Sequence, residues 1–575
     1  MPWTFAHKMP YTMLPSVTLV ATGRGVPSDG EDFKAVREDK PHFTKRSPLF
    51  VVYVFMSVLI FIMLSGTSGT AMNASEERGK QIYFTGQSQA GEPIMANFGE
   101  KNLELPGEAA TCGSCHGHDG TGRPESGLIP TNITWKYLTK SYGHIHTSGL
   151  EHGPFTEKSL KEYIRTGVYP GGVTGDPSMP LYKMTDRDLD DLVAFLKQLD
   201  KMLDPGLSES VIKLGTIIPS AEPLSGIGGD IRDILSAYFS DINSKKGIYG
   251  RKIELVVHEV TGDSQEALDL TKRWLAREQV FALVSTFTPY LNVDLQRVIS
   301  AESIPLIGPF TLYPTENFNL NRHIFYLFSG LAVQVQALVQ YASKHLSLVN
   351  PRVAILYPEK KSLDQVIAGG EQACKNKGWQ KVQKNRFPSD AFDATETARE
   401  LQEADVEVVI FLGVESQLRS FLSAGVNRDW VPRVLAPGVL TGKIIVDSPH
   451  EFDDRLYLAY PTLPPDRKSW AIKELSKLMK AHDLRPTHPQ AMISAYCAAK
   501  VLVEALRMSG RVLDRKKLTA VLEKFYQFET GLTPPITYTP NRRIGANGAY
   551  VLPFHLEKNG QGGVSGFAEW IDLEQ

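Results

Sequence analysis

The chain has 575 residues, of which 42% are hydrophobic and 22% charged, with a formal net charge of -2. That length calls for about three or four folding units at ~150 residues each, and the composition is that of ordinary globular protein. A near-neutral charge without a long basic block excludes the electrostatic footprint of nucleic-acid binding, and four cysteines are too few for a disulfide scaffold.

Residues 1–48 are rich in Pro, Gly and charge without periodicity and are expected to be a disordered extension; an upstream start-codon error would explain them equally well. Residues 49–66, "LFVVYVFMSVLIFIMLSG", carry no charge and follow Lys40, Lys45 and Arg46. Basic then apolar is the order of an export signal or membrane anchor. Small residues up to Ala71 suit cleavage, whereas the length of the apolar run suits retention as an inner-membrane anchor. Export across a membrane is expected either way.

Residues 75–202 form a small unit with a helix at each end. "SEERGKQIYFTG" opens it, and "TDRDLDDLVAFLKQL" closes it, with Thr185 as N-cap and Leu189, Leu192, Val193, Leu196 and Leu199 at helical spacing. Between them the chain reads mostly as loop, so the unit needs something besides its own side chains to pack around. Residues 203–210, including "DPGLSES", read as a linker.

The chemistry of this unit is concentrated in "TCGSCHGHDGTG", residues 111–122. Structural zinc wants four ligands, usually from two Cys knuckles, and no second Cys pair exists. Thiol redox chemistry wants the pair within a βαβ unit, which a loop-rich segment does not offer. Covalent haem c fits best: i, i+3 spacing puts the Cys112 and Cys115 sulfurs on one side of a helical turn, and His116 follows as proximal iron ligand. The opposite axial ligand is expected on a loop before the closing helix, where "GDPSMPLYKM" supplies Met179, with Met184 as runner-up. His144, His146 and His152 are further alternatives. With both axial positions filled, no open site remains for oxygen or peroxide chemistry, which argues for a carrier and not a catalyst.

"CGSCHGHDGTG" followed by "SMPLYKMTDRDLDDLVAFLKQL" resembles a class I, monohaem cytochrome c domain across about residues 75–202. The resemblance implies an all-α fold, one haem c joined through Cys112 and Cys115, and His116 and Met179 as axial ligands.

From residue 211 to 575, short β-rich runs such as "VIKLGTII", "KIELVVHEV", "RVAILY" and "VEVVIFLG" alternate with amphipathic helical stretches. This βαβ rhythm predicts parallel sheets with helices on both faces, in two lobes. Cys374 and Cys497 fall in separate helical stretches and read as buried free thiols. The stretches "IKLGTIIPSAEPLSGIGGDIRDILSAYFSDINSKKGIYGRKIELVVHEV", "ESIPLIGPF" and "HIFYLFSGLAVQVQALVQYA" resemble type I periplasmic binding proteins of the leucine/isoleucine/valine-binding group. That likeness implies two α/β lobes closing on a small-molecule ligand, with Ser225, Thr286, Thr288, Phe310 and Thr311 as candidate ligand contacts. Leu312 stands where a threonine is usual, Ser362 or Leu363 where a tyrosine is, and Pro437 where a glutamate is. A zwitterion would be left with unpaired charges there, so the ligand is expected not to be an α-amino acid.

The whole reads as a periplasmic c-type cytochrome fused to a solute-binding module, a carrier and binding protein with no catalytic constellation of its own. Its expected partner is a redox protein, another cytochrome or, by analogy with relatives of this binding fold, a quinoprotein dehydrogenase. The competing readings are an ABC-transporter receptor with an accessory haem, and a haem-coupled ligand or redox sensor.

Overall fold

A computed structural model describes residues 72–573 except 90, 100–102, 123–129, 147–148, 263–264, 289–291, 316–320, 443–447 and 555–567. The expectations for residues 1–48 and 49–66 lie outside the described residues.

The first module is built on two crossing helices, Ala74–Thr85 and Asp186–Leu196. Asn73 caps the first by accepting from the Ser75 and Glu76 amides. Thr185 caps the second, its hydroxyl accepting from the Asp188 amide while the Asp188 carboxylate accepts in return. The helices meet at Gly79, where a Cβ would stand 1.9 Å from the Asp191 carbonyl oxygen, so only glycine allows this approach. Asp191 is tied back across the crossing by Arg78 (2.6 and 2.8 Å) and Ser75 (2.5 Å).

Between these helices run the short helical segments Cys112–His116, Trp135–Leu138 and Glu157–Thr166. Five strands join them: β1 (Met95–Phe98), β2 (Leu103–Pro106), β3 (His144–Ile145), β4 (Glu151–His152) and β5 (Leu181–Lys183). An antiparallel sheet of order β2-β1-β5 thus stands where the sequence reads as loop. Elements of two to four residues are too short to show a period.

The second module has two α/β lobes. The first lobe contains β6 (Val211–Pro219), β7 (Lys252–Val260), β8 (Ala282–Val284), β9 (Leu306–Ile307) and β10 (Ile324–Phe328). The second contains β11 (Val353–Pro358), β12 (Val382–Phe387), β13 (Val408–Phe411), β14 (Arg433–Pro437) and β15 (Leu456–Tyr460). The chain then returns to the first lobe for helices Ser469–Ala481, Pro489–Ser509 and Arg515–Leu522 and strand β16 (Ile544–Ala546), and ends in the second with β17 (Gly548–Pro553) and β18 (Glu569–Asp572). The sheets run β16-β10-β9-β8-β6-β7, all parallel, and β12-β11-β13-β14-β15-β17-β18, antiparallel only in its last two pairings.

Three connections therefore pass between the lobes. Two are nearly seamless: Ser329 and Gly330 lead from β10 into helix Leu331–His345, and Asn547 alone separates β16 from β17. Ser329 Oγ donates to the Gly548 carbonyl at 2.6 Å, which stitches these two together. In the third, Asp466 accepts from Tyr550 Oη (2.6 Å) and Thr462 Oγ1 (2.9 Å).

The core of the first lobe is centred on helix Pro489–Ser509, apolar on nearly every side, with Ala495, Cys497, Val501 and Leu502 fully buried. Cys497 and its counterpart Cys374 in the second lobe are both free and buried, as their helical contexts predict.

Candidate functional site

Thr111 accepts from the Ser114 amide and starts the helical turn Cys112–His116, which ends at Gly117. Two tyrosine hydroxyls hold the backbone on either side. Tyr83 donates to the Gly117 carbonyl and Tyr182 to that of Ala110, each at 2.7 Å and each buried.

His116 is buried, and its Nδ1 lies 2.9 Å from the Thr131 carbonyl oxygen. A carbonyl can only accept, so Nδ1 carries the proton and Nε2 presents its lone pair. Desolvation lowers the pKa of His116 against the opposing pull of the Thr131 carbonyl, so the ring stays neutral, as a metal ligand must be. Cys112 behaves unlike an activated redox thiol: burial, with a smaller push from Cys115, drives it up to about 12. Cys115 is exposed.

Two thiols on one turn, and an imidazole whose tautomer is fixed by a backbone carbonyl, are the donor set that covalent haem requires. Thr131 and the two tyrosines were not singled out in the sequence. Their roles arise from contacts across 15 to 72 positions, which no local motif encodes.

Met179 is half-buried in the loop before β5. Asp176 builds the turn that carries it, accepting from the Ser178 amide through its carboxylate (2.9 Å) and from the Met179 amide through its carbonyl (3.2 Å). Met184 lines a pocket of about 500 Å³ with Met95, Tyr182, Arg165 and Asp188 beside the Thr185 cap. His144, His146 and His152 form a ring stack with Tyr169, with centroids 4.2 to 5.1 Å apart. His144 Nε2 and His152 Nδ1 are already engaged with the carbonyls of Leu138 and Gly153.

The candidate ligand contacts follow β6, β8 and β9, neighbouring parallel strands whose C-terminal ends lie on one edge of the first-lobe sheet. The Phe310 amide donates to the Thr286 carbonyl at 2.8 Å, and the Phe310 ring meets Phe287 edge-on at 5.3 Å, so the β8 and β9 loops are joined. Thr286 and Thr288 are buried, and Thr311 Oγ1 accepts from the Tyr313 amide. Ser225 opens helix Ser225–Ser244, and its hydroxyl donates to the Glu222 carboxylate. Ser285 is the residue that sequence reasoning missed here. It is fully buried with φ +48°, and its Oγ has no hydrogen-bond partner.

The cytochrome c family profile matches residues 107–200, and the periplasmic binding protein profile matches residues 211–560. Leu/Ile/Val-binding protein homolog 7 of Brucella suis biovar 1 (strain 1330) is 21% identical over 311 residues, covering 51% of this chain and 76% of that protein. Its namesake in Brucella abortus (strain 2308) is 20% identical over the same span. Among solved structures, a possible leucine/isoleucine/valine-binding protein from Rhodopirellula baltica SH 1 has a TM-score of 0.49 at 15% identity, over 63% of this chain and 96% of its own. A branched chain amino acid ABC transporter from Thermus thermophilus with bound valine has 0.48 at 17%, over 63% and 97%. The chain thus belongs to the periplasmic binding protein family, and it carries a cytochrome c domain ahead of that module.

Proposed function

We propose that the protein is an exported c-type electron carrier holding a single haem c, whose binding module senses or recruits in response to a small molecule that is not an α-amino acid. Both families are typically periplasmic or exported, a cytochrome c domain is an electron-carrier domain that implies covalently bound haem c, and the binding-protein fold is that of a non-enzymatic module. Haem, when bound, supplies one-electron exchange at its iron. The chain's own residues would hold it: Cys112 and Cys115 through thioether bonds, His116 through Nε2, and Met179 through its sulfur.

The observation that supports this reading is the His116–Thr131 contact, which engages Nδ1 and leaves Nε2 as the ring nitrogen that would bind a metal. Residues 49–66 as an export signal or a membrane anchor, and a dehydrogenase or another cytochrome as redox partner, belong to the same proposal.

Protein matured in a host able to attach haem, then titrated optically and assayed for pyridine haemochrome, tests it. One haem per chain and a low-spin spectrum with a sulfur-to-iron band are expected. Met179→Ala abolishes that band and Met184→Ala leaves it in place. A band lost only with Met184 overturns the axial assignment, and colourless protein with free thiols at both cysteines overturns the carrier.

A further inference from the structure

Charge is unevenly spread over the first lobe. Residues 245–252, "KKGIYGRK", hold four cations and no acid, and residues 507–517, "RMSGRVLDRKK", hold five cations and one acid, in a chain whose net charge is -2. The fold brings these two segments together. Tyr249 Oη donates to the Arg507 carbonyl at 2.7 Å, and Arg251 Nη1 to that of Arg511 at 2.9 Å. Lys245 pairs with Asp241 and Arg507 with Glu504, while among the described residues no carboxylate pairs with Lys246, Lys252, Arg511 or Lys517.

Large apolar side chains stand exposed among these cations: Val512 at 76%, Met508 at 56% and Tyr249 at 50%. Exposed apolar side chains interleaved with unpaired cations are the make-up of a protein docking surface and not of a merely solvated face. The patch also reaches the haem-attachment loop. Lys516 Nζ lies 3.0 Å from Asp119 Oδ2 and bonds Thr121 Oγ1, and Asp119 is three residues beyond His116.

We infer that this basic face is where a redox partner with an acidic docking surface binds, so that the binding module and not the cytochrome c domain alone chooses the electron-transfer partner. Complementary charge raises association rates 10–10³-fold and fixes orientation, which suits a transient electron-transfer encounter. Continuity with the haem loop favours a redox protein as occupant over an anionic lipid surface. The inference rests on the carrier reading for its meaning, but binding itself can be read without haem.

Plastocyanin, an acidic copper protein, serves as probe, with the full chain of the wild type, of the Arg511→Glu/Lys517→Glu variant and of Val512→Ser. Fluorescence anisotropy at low ionic strength is expected to show binding by the wild type, weakened at least tenfold by the charge reversal and abolished by high salt. Val512→Ser weakens binding without changing its salt dependence. Stopped-flow mixing of the ferrous haem protein with oxidised plastocyanin should follow the same order. Equal binding by wild type and charge-reversed protein overturns the inference. So does wild-type binding to phosphatidylglycerol vesicles with none to plastocyanin, or binding by haem-loaded protein without electron transfer. A chain that carries no haem yet binds plastocyanin through these residues overturns the carrier reading and leaves the docking face standing.

Discussion

The two modules solve the problem of a core in opposite ways. In the binding module, Ile212, Leu214, Ile234 and Leu502 around the first sheet, and Val353, Ile355, Val408 and Leu435 around the second, are wholly withdrawn from water, and helices cover each sheet. At ~25 cal/mol per Å² of buried apolar surface, such a fold stands on its own side chains. In the cytochrome c domain the helix crossing is of this kind, with Ile82, Leu189, Leu192 and Phe195 at 0 to 2% exposure, and Leu138, Phe155, Leu160 and Ile164 are buried at 4 to 5% outside it. The part that carries Cys112, Cys115 and His116 is held instead by single hydrogen bonds from Tyr83, Tyr182 and to Thr131. A helical turn tied in by few hydrogen bonds is the kind of site that a large flat apolar cofactor would complete.

Removing the cofactor should break this contrast most strongly. Cys112→Ala with Cys115→Ala prevents attachment, and calorimetry should then show the transition of the cytochrome c domain lowered or lost while that of the binding module stays. In a domain of this size each kcal/mol is worth about 3–5 °C, so a deficit of a few kcal/mol moves the transition by about 10 °C or more. Unchanged transitions would mean that the first module packs well enough without haem.

Acid should sharpen the contrast next. Asp191 is buried at the helix crossing, where desolvation alone would raise its pKa. The hydrogen bonds from Arg78 and Ser75, with the Arg78 charge, overcome that and hold it below the ordinary 3.8. A depressed carboxylate stabilises the fold at pH above its unfolded value and ceases to do so as pH falls through its folded value. The cytochrome c domain should therefore lose stability in a window below about pH 4. Asp191→Asn should already be destabilised at pH 7 and lack this acid dependence, as chemical denaturation across pH 2.5–7 would report. An Asp191→Asn curve parallel to wild type would remove the crossing from the account.

What could be read from sequence follows the same division. The capped closing helix, the helical turn Cys112–His116 and the β6 and β7 strands each carry their signal within some fifteen residues, and all appear where expected. The edge strand β12, "VQKNRF", was not legible, because an edge strand exposes one side and needs no apolar run. Thr131 could not be found either: it contributes a backbone carbonyl, which any residue type would supply. Ser285 gave no cue because its strain lies in φ and not in its side chain. The proposed haem-attachment residues are compact in sequence, whereas the candidate ligand contacts follow three strand ends that topology alone brings into register.

The smallest effect concerns how the modules are joined. Lys516 and Asp119 are 57% and 36% exposed, so their pairing contributes under ~1 kcal/mol and is screened by salt. Arg515, next in the chain, is placed differently. Its guanidinium donates to the carbonyls of Val280, Phe281 and Glu302, and its amide donates to the Asp204 carboxylate in the segment leading out of the cytochrome c domain. Lys516→Gln should therefore lower the midpoint of the cytochrome transition by no more than a few degrees at low ionic strength and by nothing measurable in high salt. Arg515→Ala should lower the binding-module transition in both, since three carbonyls lose their donors wherever the salt concentration stands. Should Lys516→Gln prove as costly as Arg515→Ala, and equally so in high salt, the contact at the haem loop is packing and not charge, and the modules are one cooperative unit instead of two.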